Sequence, residues 1–175
     1  MSMRRYVDWL REAEDDLAAA EDLLKLGRYS KACFFAQQAA EKALKALLMR
    51  RAGVFARTHS VVELLRLAQA HGIPVPEALR EAAERLDRLY VPTRYPNVWP
   101  SGAPFEHYSE EDAREAVGHA REVLASLEQR LRELLDKPST RDLASGLAKL
   151  VHELVLESSA PWSSCWLARW PVVSS

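Results

Sequence analysis

The sequence predicts an all-α protein, an up-and-down antiparallel bundle of about five helices with an extra C-terminal segment. Apolar residues recur at three- and four-residue steps through most of the chain, which is the helical period. Prolines fall between those periodic stretches, and Ala, Leu, Glu and Arg dominate while glycine is scarce. At 175 residues one domain with a respectable core is expected.

The first periodic run carries Tyr6, Trp9, Leu10, Ala13, Leu17, Ala20 and Leu24, with Gly27 placed to end it through a left-handed cap. Ser30 is expected to cap a second helix, Lys31–Arg51. That helix is apolar over much of its circumference (Ala32, Phe35, Ala36, Ala39, Ala40, Ala43, Leu44, Leu47, Leu48) and so belongs at the centre. Ser60-Val61-Val62-Glu63 has capping-box form and opens a third helix to about His71. Pro76 suits a first turn, and Leu79, Ala82, Ala83, Leu86 and Leu89 carry a fourth helix to Tyr90. Residues 91–108 hold four prolines, which forbid a continuous helix, together with Arg94, Tyr95, Trp99, Phe105 and Tyr108. Such a long aromatic loop points to function, although packing alone accounts for aromatics as well. Ser109 then starts a long helix that Lys137-Pro138 ends. Beyond it, residues 139–157 form one weaker amphipathic pattern. A tail with Trp162, Trp166 and Trp170 either docks or lies loose.

Charge and motifs exclude several classes. With 24 Lys+Arg against 25 Asp+Glu, no global excess of positive charge draws the chain to phosphate. The N-terminal residues show no apolar signal-peptide core, and no apolar run is long enough to span a membrane, so a cytoplasmic protein is expected. Cys33 and Cys165 suggest neither a disulfide framework nor a zinc site. No His, Cys, Asp and Glu cluster has metal-ligand spacing, and no glycine-rich phosphate loop appears, so no metal or cofactor is expected.

Three blocks carry a resemblance. Phe35-Ala36-Gln37-Gln38-Ala39-Ala40-Glu41-Lys42-Ala43-Leu44-Lys45-Ala46-Leu47 looks like the signature helix of the HEPN family (higher eukaryotes and prokaryotes nucleotide-binding domain). Thr58-His59-Ser60 opens the third helix, and Tyr90-Val91-Pro92-Thr93-Arg94-Tyr95-Pro96 resembles the family's tyrosine–arginine–tyrosine–proline loop. The resemblance implies a domain over residues 4–136, with 137–175 as an extension. It also implies frequent homodimers and frequent pairing with a small nucleotidyltransferase in a toxin–antitoxin-like system. Many members are metal-independent ribonucleases marked by an arginine and a histidine with four to six residues between them.

That motif can be tested residue by residue. Its chemistry would use the histidine for proton transfer at a ribose hydroxyl and the arginine for phosphate charge. After Arg94 the histidine positions hold Trp99, Pro100 and Ser101, and His107 falls too far along. Arg66–His71 and Arg114–His119 fit the spacing, but about one or two such matches arise by chance. Both also lie in expected helices, where five residues leave the side chains roughly 140° apart.

The leading expectation is therefore a non-catalytic module that binds nucleotide or nucleic acid. Alternatives are a ribonuclease toxin with a departed motif, or a structural dimeric scaffold. The candidate ligand-binding residues are Arg94, Tyr95, Tyr90, His59 and Lys45, and no catalytic residue is assigned. Each has a plainer reading. Arg94 could hold phosphate or form an ion pair with a helix carboxylate. Tyr90 and Tyr95 could stack on a base or pack against the bundle. His59 could face a ligand or serve local hydrogen bonding. Lys45 could reach phosphate, pair with Glu41 four residues earlier, or sit with Lys42 on a solvated face.

Overall fold

The structure, a computed structural model, describes residues 5–135, with side chains described through Leu127. The expected helix stop at Lys137-Pro138, the 139–157 helix and the tryptophan tail lie outside the described residues. Contacts divide the chain into two units, Met1–Arg132 and Glu133–Ser175, and the helical bundle is the first of them. The chain is all-helical as expected, with five α-helices and no strand among the described residues. These are α1 (Tyr6–Lys25), α2 (Tyr29–Arg51), α3 (Val61–Ala70), α4 (Glu77–Asp87) and α5 (Glu110–Leu135).

Gly27 closes α1 as its position predicts. Its φ of 69° lets Gly27 N–H reach Leu24 O at 3.1 Å and Arg28 N–H reach Leu23 O at 2.8 Å, a Schellman ending. The chain turns directly into α2, which starts two residues earlier than expected. Ser30 is therefore no cap. It is buried inside the first turn, and its hydroxyl donates to Thr93 O at 3.4 Å. The turn supplied by Gly27 already positions the helix start, which frees Ser30 to hold the loop after α4.

Helix α2 is the centre of the bundle. Cys33, Leu44, Leu48 and its alanines from Ala32 to Ala46 are fully buried, and α1, α3 and α4 all pack on it. The alanines let neighbouring backbones approach closely, and each fully buried leucine stabilises the fold by about 1.5–3 kcal/mol. Helix α5 covers the bundle with Ala113, Ala116, Val117, Ala120, Val123, Leu124 and Leu127. Its Arg121 Nε meets Glu21 of α1 at 2.7 Å, and its Glu115 meets Arg85 of α4 at 3.6 Å.

Two helix ends refine the expectations. Ser60 caps α3, its Oγ accepting from Glu63 N–H at 3.1 Å, but the reciprocal half of the box is rerouted. Ser60 N–H goes to Thr58 Oγ1 at 3.2 Å, and that hydroxyl donates to Glu63 Oε2 at 2.5 Å. Asp87 adds a second cap from across the bundle. It accepts from Ser60 Oγ at 2.6 Å, Val61 N–H at 2.5 Å and Val62 N–H at 3.2 Å. Helix α4 stops at Asp87 rather than Tyr90. Leu89 and Tyr90 N–H switch to carbonyls three residues back, and Pro92 has no N–H to continue the ladder.

Candidate functional site

The loop between α4 and α5 is a strap with fixed geometry. Thr93 is wholly buried, donating to Leu89 O at 2.6 Å while its carbonyl accepts from Ser30. Trp99 Nε1 donates to Pro92 O at 2.9 Å, and the Trp99 ring stacks on His107 with centroids 3.9 Å apart and planes 2° apart. His107 Nε2 meets Ser101 O at 2.8 Å. Gly102 is needed here: at φ +77° an added Cβ would stand 2.6 Å from Glu106 Oε2, the oxygen that accepts from Ala103 N–H. Short 3₁₀ turns over Pro96–Val98 and Pro104–Glu106 complete the strap.

This scaffold sets Arg94 against the bundle. Its guanidinium carbon lies 4.1 Å from the Tyr90 ring centroid and 4.5 Å from that of Phe34 on α2. No carboxylate pairs with it among the described residues, and its buried Nε has no hydrogen-bond partner there. The ion-pair alternative is thus not what the described residues contain. Cation–π contact holds the guanidinium instead, at roughly 0.5–2 kcal/mol per ring. Phe34 went unnoticed in the sequence because the apolar pattern of α2 is complete without it.

Tyr90 has a second neighbour. The His59 ring stacks on it, centroids 5.0 Å apart and planes 17° apart. His59 Nδ1 lies 3.0 Å from Glu41 Oε1, and Lys45 Nζ lies 2.8 Å from the same oxygen. Gln37 and Gln38 donate to Glu41 Oε2 at 3.3 and 3.2 Å, and Gln37 also donates to His59 O at 3.0 Å. Four side chains thus converge on one buried carboxylate of α2. Such a group is tolerated inside only when it is paired and hydrogen-bonded in this way.

The sequence candidates therefore separate. Arg94, Tyr90 and His59 come together, and Tyr90's ring is shared by the guanidinium and the imidazole. Tyr95 is available instead: it is 54% exposed, with no ring contact among the described residues. Lys45 is only 4% exposed, paired to Glu41 and 5.7 Å from the Trp9 centroid, so it reaches the site through Glu41 and His59. The solvated-face reading of both lysines is overturned. Lys42 is three-quarters or more covered, with Nζ 2.6 Å from Asp16 and 3.0 Å from Glu12. Burial pushes the Asp16 carboxyl up against the pull of Lys42. His59 does more than local hydrogen bonding, since its ring partner lies 18 residues back on α2. Phe105, one of the loop aromatics, is 70% exposed on this chain.

With this geometry in view, comparison with known proteins gives a consistent answer. The HEPN domain family's sequence profile matches residues 6–130. The chain belongs to the HEPN family. Over 137 residues it is 31% identical to a Methanocaldococcus jannaschii protein named "Putative toxin MJ1304", covering 71% of this chain and 87% of that one. TT1696 from Thermus thermophilus is 46% identical with a TM-score of 0.68, covering 71% of this chain and 97% of that one. ST0689, an archaeal HEPN homologue, is 38% identical with a TM-score of 0.62, covering 74% and 98%. A HEPN domain protein of Thermotoga maritima is 34% identical with a TM-score of 0.57, covering 75% and 99%.

Within this HEPN domain the two arginine–histidine matches of ribonuclease spacing lie on α3 and α5 rather than in the strap. Arg114 is ion-paired with Glu110, and His119 sits between Glu115 and Glu122. Arg66 is on α3 and His71 caps its C-terminus. Trp99, where the strap's histidine would begin to fall, is half-buried and hydrogen-bonded. Among the described residues no His, Cys, Asp and Glu group could hold a metal ion, and no helix is long and apolar enough to cross a membrane.

Proposed function

We propose that this HEPN domain is a toxin-like binding module that takes a phosphate-bearing ligand, nucleotide or RNA, at Arg94 without cleaving it. The observation that carries the reading is a guanidinium fixed by two rings and left without a carboxylate among the described residues. Arginine so placed keeps its charge and its terminal N–H donors uncommitted to any carboxylate, for an external oxyanion. Tyr95, exposed beside it, offers a ring for a base. The toxin-like role rests on likeness to the M. jannaschii protein, and partnership with a small nucleotidyltransferase, like homodimer formation, rests on family resemblance.

The decisive variant is Arg94→Met, which keeps the length and a soft contact to both rings but removes the charge. Titration calorimetry with ATP and with a short single-stranded RNA should show binding weakened roughly tenfold or more, the value of a charge-assisted contact. Unchanged binding with a lowered melting temperature would make Arg94 a structural clamp and end this reading. The same RNA should remain intact on incubation with the wild-type chain.

A further inference from the structure

The Glu41 carboxylate fixes the chemistry of His59. An ionised carboxylate only accepts, so the imidazole must donate through Nδ1, and the other ring nitrogen, Nε2, keeps its lone pair. The His59 side chain is 55% exposed, whereas Glu41 behind it is 4% exposed, so the ring spans from the interior network to solvent. Since both groups lie on Tyr90, the imidazole centroid and the guanidinium carbon are within about 9 Å of each other, the sum of their two distances to that ring. Arg94 and His59 are 35 positions apart in sequence, and no spacing motif would pair them.

We propose that His59 is the second arm of the Arg94 site: the protonated imidazole and the guanidinium together hold one oxyanion, a phosphate or sulfate group, and the site grips it harder as pH falls. This rests on the reading of Arg94 as a phosphate contact. Protonation at Nε2 converts a lone pair into an N–H donor and adds a positive charge that Glu41 supports from behind. The groups facing His59 are consistent with that gain. From α2 come Glu41 and, through it, Lys45. From α4, Asp87 is engaged by Ser60 and by two α3 N–H groups. From α3, Glu63 is engaged by Thr58. Tyr90 contacts both the imidazole and the Arg94 guanidinium. With Glu41 already paired to Lys45, protonation of His59 adds a second cation on the Tyr90 ring beside that of Arg94. Linkage makes the effect reciprocal: the anion favours the proton as the proton favours the anion.

The test uses the full chain and probes whose own charge is constant, sulfate and a phosphodiester dinucleotide, titrated between about pH 5.5 and 8.5, the range imidazoles traverse. Wild-type affinity should rise roughly tenfold toward the acid end, by one added charge-assisted contact. His59→Gln should give a flat profile at the wild type's alkaline value. In the wild type, saturating sulfate should also move the midpoint of the His59 ring proton's NMR titration to higher pH. A flat wild-type profile, a pH slope that survives in His59→Gln, or an unmoved NMR midpoint overturns the role of His59 while leaving Arg94 as a phosphate contact. Binding that Arg94→Met leaves unchanged at every pH overturns the underlying reading instead.

Discussion

Arg94 and Arg121 are both cations at the periphery of the bundle, and their surroundings are opposite. Around Arg94 the protein supplies rings, and the acid of that side, Glu41, is buried and committed to Lys45, His59 and two glutamines. Around Arg121, between α1 and α5, each cation has an acid in water: Arg121 with Glu21, Arg114 with Glu110, Lys25 with Asp22. This second face also borders a groove of about 490 Å³, yet its charges cancel locally. The difference teaches that room is a poorer guide to an anion site than an unneutralised, pre-oriented donor.

Three measurements would break or sharpen this contrast. The largest effect is expected for Glu41→Ala, which leaves Lys45 buried without its partner. Urea unfolding should show a loss of about 3–5 kcal/mol. A loss below about 1 kcal/mol would put the Glu41 network in the same class as the wet ion pairs. An intermediate effect is expected at the start of α5, where Asp112 Oδ2 accepts from Ser109 N–H at 2.8 Å and Ser109 Oγ at 2.7 Å. Those bonds hold the Asp112 carboxyl below its usual value. Because the folded state lowers it, the contribution is present above the ordinary carboxylate range and disappears as pH falls through the lowered value. Asp112→Ala should cost about 1 kcal/mol at neutral pH, and the gap to wild type should close in acid. The smallest effect belongs to Arg121→Ala, within about 0.5 kcal/mol and smaller still in high salt. A larger loss would mean that the α1–α5 pairs are structural after all.

Much of the helical frame was legible because local chemistry decided it. Gly27 had to end α1, Ser60 had to cap α3, and the alanine-rich helix had to be central. Two helix ends were misread where a neighbouring turn residue overrode the pattern. Ser30 lost its capping role to Gly27 and gained Thr93, and α4 ended early because Pro92 cannot prolong the hydrogen-bond ladder. The site was half legible. Arg94, Tyr90 and His59 were marked, but the rings holding Arg94 and the acid behind His59 were not. A signal for that acid existed. Gln37, Glu41 and Lys45 form a stripe at four-residue steps on a helix apolar nearly all round, and a polar stripe there must find partners inside. Phe34 offered no such signal, since its partner enters from 60 residues away.

The mounting of Arg94 on aromatic faces carries one more consequence. Aromatic faces carry no net charge for counterions to compete with, so brine that would loosen a guanidinium tethered by glutamate leaves this one where it stands. Ionic strength would then weaken only the visitor's attraction, while the seat awaiting it keeps its shape.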